Sequence, residues 1–470
     1  MSDVRVIKAA LLGAGTVGSG VYDILQWQKD EMPKKLGAVV ELKKILVRNT
    51  KKPREGMDSS LFTDNWKEIL DDPEIEIVIE VMGGIEPAKT YITEALHAGK
   101  HVVTANKDLL AEHGKEVLDA AEEHGCDLMF EAAVAGGIPI IRPLKQCLAA
   151  NHLTEVMGIV NGTTNYILTK MTKDHMEFAD ALALATELGY AEADPTADVE
   201  GYDAARKVAI MASIAFNSRV TFSDVYTQGI TKITAADIAY ATEMGMVIKL
   251  LGVARNTDTG IEAGVYPMLI PADHPLAGVN DSFNAVFVHG DAVDDAMFQG
   301  RGAGKLPTGS AVAGDIFEVA RDIVAGSTGR INCTCYKNLR IKPVDEVQNR
   351  YFMRMEVEDR PGVLAAIASV FGNNHVSIAQ VIQKSVGEGT AELVIITDQG
   401  GRTSFQGCPS GDERDVYCKR DSFRSSRICA ERIRKSGEGT EAGNEKDTDF
   451  TGQSDYICHE GSFRSQAKGH

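Results

Sequence analysis

The sequence lacks an excess of positive charge, a long apolar run and any cysteine pair of the C-x-x-C type. Its 470 residues include 49 Lys and Arg against 67 Asp and Glu, a formal net charge of −18. Non-specific nucleic-acid binders attach to phosphate through bulk positive charge, so we expect no nucleic-acid partner. A membrane span needs an apolar run of ~20 residues, and its absence predicts no membrane insertion. No leader-like segment precedes the first predicted strand, which favours a cytoplasmic protein.

Cysteine spacing gives no sign of a metal centre. Cys333 and Cys335 are separated by one residue, which is too close for an ordinary zinc knuckle. We therefore expect the eight cysteines to be reduced thiols that bind no metal.

Leucine disappears from the last part of the chain. Leu393 is the last leucine, and residues 399–470 contain no Leu or Met and only four Val or Ile residues. Such a segment cannot bury enough apolar surface to offset the entropy lost on ordering. We therefore interpret residues 398–470 as disordered, or as the product of a shifted reading frame, and leave them out of the fold prediction.

A glycine-rich turn follows the first predicted strand. Residues 6–12 are apolar and β-branched, residues 13–18 read G-A-G-T-V-G, and Val21, Ile24 and Leu25 then recur at helical spacing. An isolated G-x-G-x-x-G can be any glycine-rich turn, but strand and helix on either side favour a dinucleotide site, with the pyrophosphate at the helix N-terminus. The candidate cofactor-binding residues here are Gly13, Gly15, Thr16, Val17 and Gly18.

The second predicted strand, residues 39–47, ends in a basic loop. Sites that prefer NAD place an acidic residue there for the ribose 2′-hydroxyl, whereas this chain has Arg48. Arg48 suits a 2′-phosphate. Lys51, Lys52 and Arg54 fit a cofactor contact or an ordinary solvated loop equally well.

Strands and helices continue to alternate up to residue 150. Predicted strands at 75–81, 101–104 and 128–132 alternate with helices at 87–98 and 109–123. We predict a Rossmann-type, doubly wound parallel sheet over residues 1–150. Ligands bind at the carboxyl ends of such strands, which makes Gly83, Thr104 and Lys107 candidates for cofactor contact.

Polar residues are concentrated between residues 160 and 207. Thr163 and Asn165 stand at a predicted helix start, where they could be caps or ligand contacts. Asp203 and Lys207 share one face of a later helix because they are spaced i, i+4. The pair is either an ordinary surface ion pair or a lysine oriented for proton transfer, with Glu192 and Asp198 on the preceding loop able to bind an amine.

Taken in order, these motifs resemble homoserine dehydrogenases over residues 5–397. The matching segments are residues 13–18, 106–107, 131–139, 161–165, 201–207 and 302–310. The resemblance implies NADP- or NAD-dependent interconversion of L-aspartate 4-semialdehyde and L-homoserine, in the route to threonine and methionine.

Roles for individual residues follow from the resemblance alone. It implies that Lys207 is the proton donor with Asp203 beside it, that Glu192 and Asp198 bind substrate, and that Lys107 lies near both substrate and nicotinamide. The segment containing Gly309 would return to the cofactor. A sodium-like monovalent cation would bind mainly backbone carbonyls in residues 131–138, and a homodimer or homotetramer is expected. The implied cation ligands are Glu131, Val134, Gly136 and Ile138.

The predicted organisation is α/β with two further units. Residues 151–330 form an α+β catalytic and dimerisation domain whose last segment packs back on the first domain. Residues 348–397 read strand, helix, strand, strand and resemble a partial, ferredoxin-like ACT module that lacks its last helix and strand. Whether threonine inhibits this chain is left open.

Two other functions compete with this assignment. An acylating aldehyde dehydrogenase needs an activated cysteine, and Cys126 and Cys147 have no evident His partner. A non-catalytic sensor of NADPH and amino acids would be favoured by loss of Lys207 or Glu192, but both are present.

The basic loop gives the first testable prediction. Arg48→Asp should lower the ratio of kcat/KM for NADPH to that for NADH by about 10-fold or more, because a charged hydrogen bond contributes about 1.5–3 kcal/mol. Lys115→Asp, in the predicted helix 109–123 and away from this loop, is the control for a general loss of positive charge. An unchanged cofactor ratio in Arg48→Asp would remove the 2′-phosphate assignment.

Overall fold

The computed structural model describes residues 4–387, 389–401 and 456–458. Most of the segment interpreted above as disordered or frame-shifted, 398–470, therefore lies outside the described residues. Within the described ranges, no helix combines the length and the apolar character needed to cross a bilayer.

The amino-terminal unit is a six-stranded parallel sheet in the order β3-β2-β1-β4-β5-β6, with helices packed around it. Its strands are β1 Arg5–Leu12, β2 Ala38–Leu46, β3 Phe62–Thr63, β4 Ile75–Glu80, β5 His101–Thr104 and β6 Leu128–Met129. Its helices are α1 Thr16–Trp27, α2 Met32–Leu36, α3 Lys67–Leu70, α4 Ala88–His97 and α5 Lys107–Glu123. The strand order reverses direction between β1 and β4, which opens a crevice at their carboxyl ends. The predicted doubly wound sheet is thus confirmed.

The sixth strand is shorter than predicted. The sequence indicated a strand over residues 128–132, but β6 ends at Met129 and Glu131 begins a short 3-10 turn. The backbone N–H of Glu131 donates to Asp315 Oδ2 at 2.7 Å instead of to a neighbouring strand. A side chain 184 residues away therefore ends the strand.

The second unit is a mainly antiparallel sheet, in which only the two-residue β8 pairs in parallel, with helices packed on one face. Its strands are β7 Leu153–Ile159, β8 Tyr226–Thr227, β9 Met246–Thr257, β10 Gly260–Pro271, β11 Phe283–Gly290 and β12 Asp294–Arg301. Its helices are α6 Gly162–Lys173, α7 Phe178–Glu187, α8 Thr196–Val199, α9 Tyr202–Ala215 and α10 Ala235–Glu243. Helix α9 is the most deeply set, and nearly every residue from Ala204 to its end is buried against β9 and β10. The start of α9 thereby has a fixed position.

A long helix returns from the second unit to the first. Helix α11, Lys305–Ala325, packs along α1. The helices approach closely because both carry glycine at the contact: a Cβ on Gly20 would lie 2.1 Å from the carbonyl oxygen of Lys305, and one on Gly309 would lie 2.9 Å from the carbonyl carbon of Gly20. Gly309, a candidate cofactor residue, therefore has a packing role in the structure.

The carboxyl-terminal unit contains a strand, a helix and two strands, as the sequence indicated. Its elements are β13 Gln348–Glu358, α12 Val363–Asn373, β14 Ile378–Gly387, β15 Thr390–Thr397 and β16 Gly400–Gly401. The sheet order is β13-β15-β14, and all pairs are antiparallel. A three-residue strand, β17 Tyr456–Cys458, pairs with β10 and β13. Both β16 and β17 lie within 398–470, so at these five residues the structure departs from the interpretation of that segment as outside the fold.

The helix contact at Gly20 gives a stability prediction. Gly20→Ala places a methyl group against the backbone of α11 and should lower the free energy of unfolding by about 1–3 kcal/mol. Both tryptophans, Trp27 and Trp66, lie in the first unit, so urea unfolding followed by tryptophan fluorescence reports on it. Ser19→Ala, the neighbouring control, should change the value by less than about 0.5 kcal/mol. Equal stabilities for the two variants would show that this close approach is not needed.

Candidate active site

Three charged side chains meet where the first two units contact each other. Lys107 is the first residue of α5, directly beyond β5, and Asp203 and Lys207 occupy the first two turns of α9. Lys207 Nζ lies 2.6 Å from Asp203 Oδ2, and Lys107 Nζ lies 3.4 Å from Asp203 Oδ1. Two ammonium groups thus share one carboxylate, and they belong to helices of different units, α5 of the first and α9 of the second.

The surface-pair interpretation of Asp203 and Lys207 does not fit this geometry. Their side chains are only 13% and 11% exposed. Lys207 also donates to the carbonyl oxygen of Val160 at 2.7 Å. The ammonium is therefore oriented by two acceptors, which leaves its third N–H free for another partner.

Asn161 joins this cluster to a fourth charged residue. Its side-chain amide donates to Asp203 Oδ2 at 2.9 Å and to Asp198 Oδ1 at 2.6 Å, while its oxygen accepts from the Thr164 backbone and caps α6. The sequence indicated Thr163 and Asn165 as either caps or ligand contacts, and neither caps the helix. Thr163 instead donates to the carbonyl of Tyr190, and Asn165 donates to the carbonyls that flank a loop at 279–283.

Charge and burial act in opposite directions on the pKa values in this cluster. Burial alone would raise the pKa of the Asp203 carboxyl, but the ammonium groups of Lys207 and Lys107 outweigh it and lower the pKa to about 2. Burial would lower the pKa of Lys107, yet the charges of Asp203 and Asp108 raise it. The cluster is therefore an ionised carboxylate beside a protonated Lys107 over the ordinary pH range.

The two candidate substrate carboxylates differ in their surroundings. Asp198 is half-buried, and burial raises the pKa of its carboxyl against the opposing hydrogen bond from Asn161. Glu192 is exposed on the loop between α7 and α8 and has no hydrogen bond or ion pair within the part of the chain that the structure describes. The structure thus connects Asp198 to the lysine cluster and leaves Glu192 available at the surface.

The glycine turn has the geometry that a dinucleotide site requires. Gly13 has φ +103, a conformation that favours glycine, and a Cβ on Gly18 would lie 2.2 Å from the Gly13 carbonyl oxygen. Gly15 has open space around it, and Thr16 and Val17 begin α1 with no side-chain cap. The free N–H groups at this helix start can bind a pyrophosphate.

A buried carboxylate that sequence reasoning missed organises the opposite wall of the crevice. Glu80, the last residue of β4, is fully buried and accepts from the Thr104 hydroxyl at 2.6 Å and from the backbone N–H groups of Met82 and Gly83. Burial raises the pKa of this carboxyl. Thr104, a candidate cofactor residue, is therefore fully buried and committed to Glu80. The sequence signal was a carboxylate at the end of a strand whose other residues, apart from Glu76, are isoleucine and valine.

Of the four basic side chains in the loop after β2, Arg54 is held within the loop, while Arg48, Lys51 and Lys52 are exposed. Among the described residues, the exposed Arg48 side chain has no hydrogen bond or ion pair. Arg54 lies over the Phe62 ring and donates to carbonyls of its own loop. Arg48 is the basic residue that follows the end of β2 most closely in the chain, so it is the candidate to reach a ligand there.

The segment 131–138 turns sharply and is almost completely buried. Both oxygens of the Glu131 carboxylate are occupied by backbone N–H groups of Ile140, Ile141 and Arg142. Ala135 and Gly136 have φ values of 56 and 55. In the described part of the chain no donor is recorded for the carbonyls of Val134, Gly136 and Ile138. Backbone carbonyls, and not the Glu131 side chain, are therefore the groups here that fit a cation.

Comparison with known proteins gives the family to which this chain is similar. Family models described as "Homoserine dehydrogenase, NAD binding domain", "Homoserine dehydrogenase" and "ACT domain" match residues 13–131, 139–317 and 351–406. Homoserine dehydrogenases from Corynebacterium glutamicum and Bacillus subtilis are 48% and 43% identical, covering 83% and 86% of this chain and 88% and 94% of theirs. A homoserine dehydrogenase structure from Thiobacillus denitrificans superposes with a TM-score of 0.82 at 40% identity, covering 86% of this chain and 94% of that one.

The depressed pKa of Asp203 predicts how stability depends on pH. A carboxyl whose pKa is about 2 in the folded state and 3.8 otherwise stabilises the fold above about pH 4, and this contribution is lost as the pH falls. The difference in unfolding free energy between the natural chain and Asp203→Asn should therefore shrink by about 2 kcal/mol on acidification towards pH 2.

The measurement is urea unfolding at several pH values over the range in which both proteins are folded. Asp119→Asn is the matched control, because Asp119 forms only an exposed ion pair with Lys115, worth less than about 1 kcal/mol. A difference for Asp203→Asn that does not vary with pH would contradict the assignment.

Proposed function

The chain belongs to the homoserine dehydrogenase family, and from this premise we propose which of its residues perform the reaction. It is an oxidoreductase with a nicotinamide-binding domain. We propose that Lys207 donates the proton to the aldehyde oxygen of L-aspartate 4-semialdehyde, that Asp203 holds Lys207 in position, and that Lys107 lies near both substrate and nicotinamide. The observation that supports this most strongly is the buried Asp203 carboxylate shared by the two lysines.

Reduction of the aldehyde creates negative charge on its oxygen. When bound, the nicotinamide supplies the hydride to the carbonyl carbon. The free N–H of Lys207 stabilises the developing alkoxide and then transfers its proton to it. Lys107, on the cofactor side, adds a second positive charge near the same oxygen. The negative charge of Asp203 offsets the repulsion between the two ammonium groups in this partly buried site.

The remaining polar groups fit the amino-acid end of the substrate. We assign Glu192 and Asp198 to the substrate ammonium group, since carboxylates are natural acceptors for it. Burial raises the pKa of the Asp198 carboxyl. A bound substrate ammonium would lower this pKa again and favour the ionised form, so the carboxylate has a reason to bind a cation.

We propose NADP as the preferred cofactor, with NAD as the alternative. The free N–H groups at the start of α1 would hold the pyrophosphate, and Arg48 would reach the 2′-phosphate. Gly83 follows β4 at the crevice and would line it, with Thr104 acting through Glu80. Gly309 would contribute by setting the position of α1.

Three further proposals concern a bound cation, the oligomeric state and the cellular location. We propose a sodium-like cation at the carbonyls of Glu131, Val134, Gly136 and Ile138, which fits the turn described above. A homodimer or homotetramer and a cytoplasmic location stay predictions. A non-catalytic sensor on the same fold is disfavoured, because the curated relatives are enzymes and both lysines are present and oriented.

The role of Lys207 is tested by NADPH oxidation with aspartate semialdehyde. Lys207→Ala should lower kcat by about 10²–10⁴-fold, the usual contribution of general acid catalysis, with little change in NADPH affinity. Lys115→Ala, which removes an exposed lysine from α5, should behave like the natural chain. Near-normal turnover in Lys207→Ala would remove this residue from the proposed role.

A further inference from the structure

A second cluster of reactive groups lies behind the helices that carry the active site. It is a pocket, here called the thiol pocket, formed between α5, α9 and the segment 327–343. Its polar lining consists of Lys145, Ser213, Arg219, Cys333, Thr334 and Cys335. Nothing in the reaction described above uses these residues.

The thiol pocket contains two cations without a carboxylate partner. In the described part of the chain, neither Lys145 nor Arg219 has an acidic group within ion-pair distance, and the Nε of Arg219 is buried without a hydrogen-bond partner. Arg219 Nη2 instead lies 3.1 Å from the sulfur of Cys333. A thiolate at Cys333 would supply the missing negative charge.

The two cysteines are differentiated by their surroundings. The neighbouring Cys335, together with the charges of Arg219 and Lys145, lowers the pKa of Cys333 to about 5 against the effect of burial. The same contact, with burial, raises the pKa of Cys335. Both residues are half-buried, so small reagents can reach them. Cys333 thus has the surroundings of an attacking thiol, and Cys335 those of a resolving thiol.

We propose that Cys333 and Cys335 form a peroxide-sensitive thiol pair that controls the activity of the site. The Cys333 thiolate attacks a hydroperoxide, an S–O bond forms, the O–O bond breaks, and an alcohol or water leaves after taking up a proton. The thiol of Cys335 then attacks the resulting sulfenic acid, an S–S bond forms, and water leaves. Two thiols are oxidised to a disulfide while one hydroperoxide is reduced.

The pocket is connected to the active site through two helices. Its apolar wall includes Leu110 and Gly114 of α5, the helix that begins with Lys107, and Ile214 of α9, the helix that carries Asp203 and Lys207. The Cys335 thiol donates to the carbonyl of Ser213 on α9 at 3.5 Å, and Arg219 lies against α5 at Gly114. Disulfide formation removes the hydrogen that the Cys335 thiol donates to Ser213 and the thiolate charge beside Arg219, and so changes the contacts on which both helices rest.

The test is oxidation of the full-length enzyme with tert-butyl hydroperoxide, followed by blocking of free thiols, peptide mass mapping and assay of turnover. The peptide containing Cys333 and Cys335 should lose two hydrogen atoms before the peptide of the exposed Cys147 changes. Turnover should fall in parallel by roughly 10-fold or more, because small displacements of catalytic groups are costly. A dithiol reductant should restore both the peptide mass and the rate.

Three variants separate the steps. Cys335→Ser should stop at a sulfenic acid on Cys333 that a 1,3-diketone probe traps, Cys333→Ser should give neither product, and Cys147→Ser should behave as the natural chain does. Oxidation of Cys333 no faster than that of Cys147, or a disulfide that leaves turnover unchanged, would overturn the proposal. The mass readout does not rest on the proposed role of Lys207, since the disulfide should also form in Lys207→Ala.

Discussion

The buried carboxylate of Asp203 is the constraint on which the site depends. A carboxylate removed from water is costly unless charges and hydrogen bonds replace its hydration. Lys107, Lys207 and Asn161 provide that replacement, and they come from the starts of α5 and α9 and from the cap of α6. One anion therefore fixes the relative positions of a cofactor-binding sheet and a substrate-binding sheet.

The surrounding scaffold keeps these helix starts in place. Gly201 precedes α9 with φ +84 and lies close to the side chains of Thr227 and Val265, so the entry to the helix is set by β8 and β10. In the first unit, the hydrogen bond between Thr104 and Glu80 joins the ends of β4 and β5 and so sets the entry to α5. The thiol pocket supports the far halves of α5 and α9. The ion pairs at the starts of α5 and α9 and the packing at their far halves therefore together determine how the two helices are placed relative to each other.

Local sequence patterns predicted the parts of this arrangement that depend on local structure. The glycine turn at residues 13–18, the parallel strands and the position of Lys107 beyond β5 all follow from periodicity and turn chemistry. The i, i+4 spacing placed Asp203 and Lys207 on one face, but periodicity could not distinguish a surface pair from a buried one. Resemblance to a known family provided that distinction.

Contacts between distant segments could not be predicted in this way. Asn161 donates to two carboxylates about 40 residues later, Asp315 ends β6 through Glu131, and the backbone at Gly20 touches that at Lys305. No local pattern records such pairings, because each depends on how whole elements pack. For this reason the predicted end of β6 was wrong, and Asn161 was not recognised as the cap of α6.

The central claim is that an ammonium group at the position of Lys207, held by Asp203, delivers the proton to the substrate oxygen. Chemical rescue measures this directly, by following turnover of Lys207→Ala with aspartate semialdehyde as methylammonium is added. The account predicts that turnover rises with amine concentration, and that this rise is lost when Asp203 is also replaced by Asn. Turnover that does not respond to the amine, or that responds equally without Asp203, would contradict it.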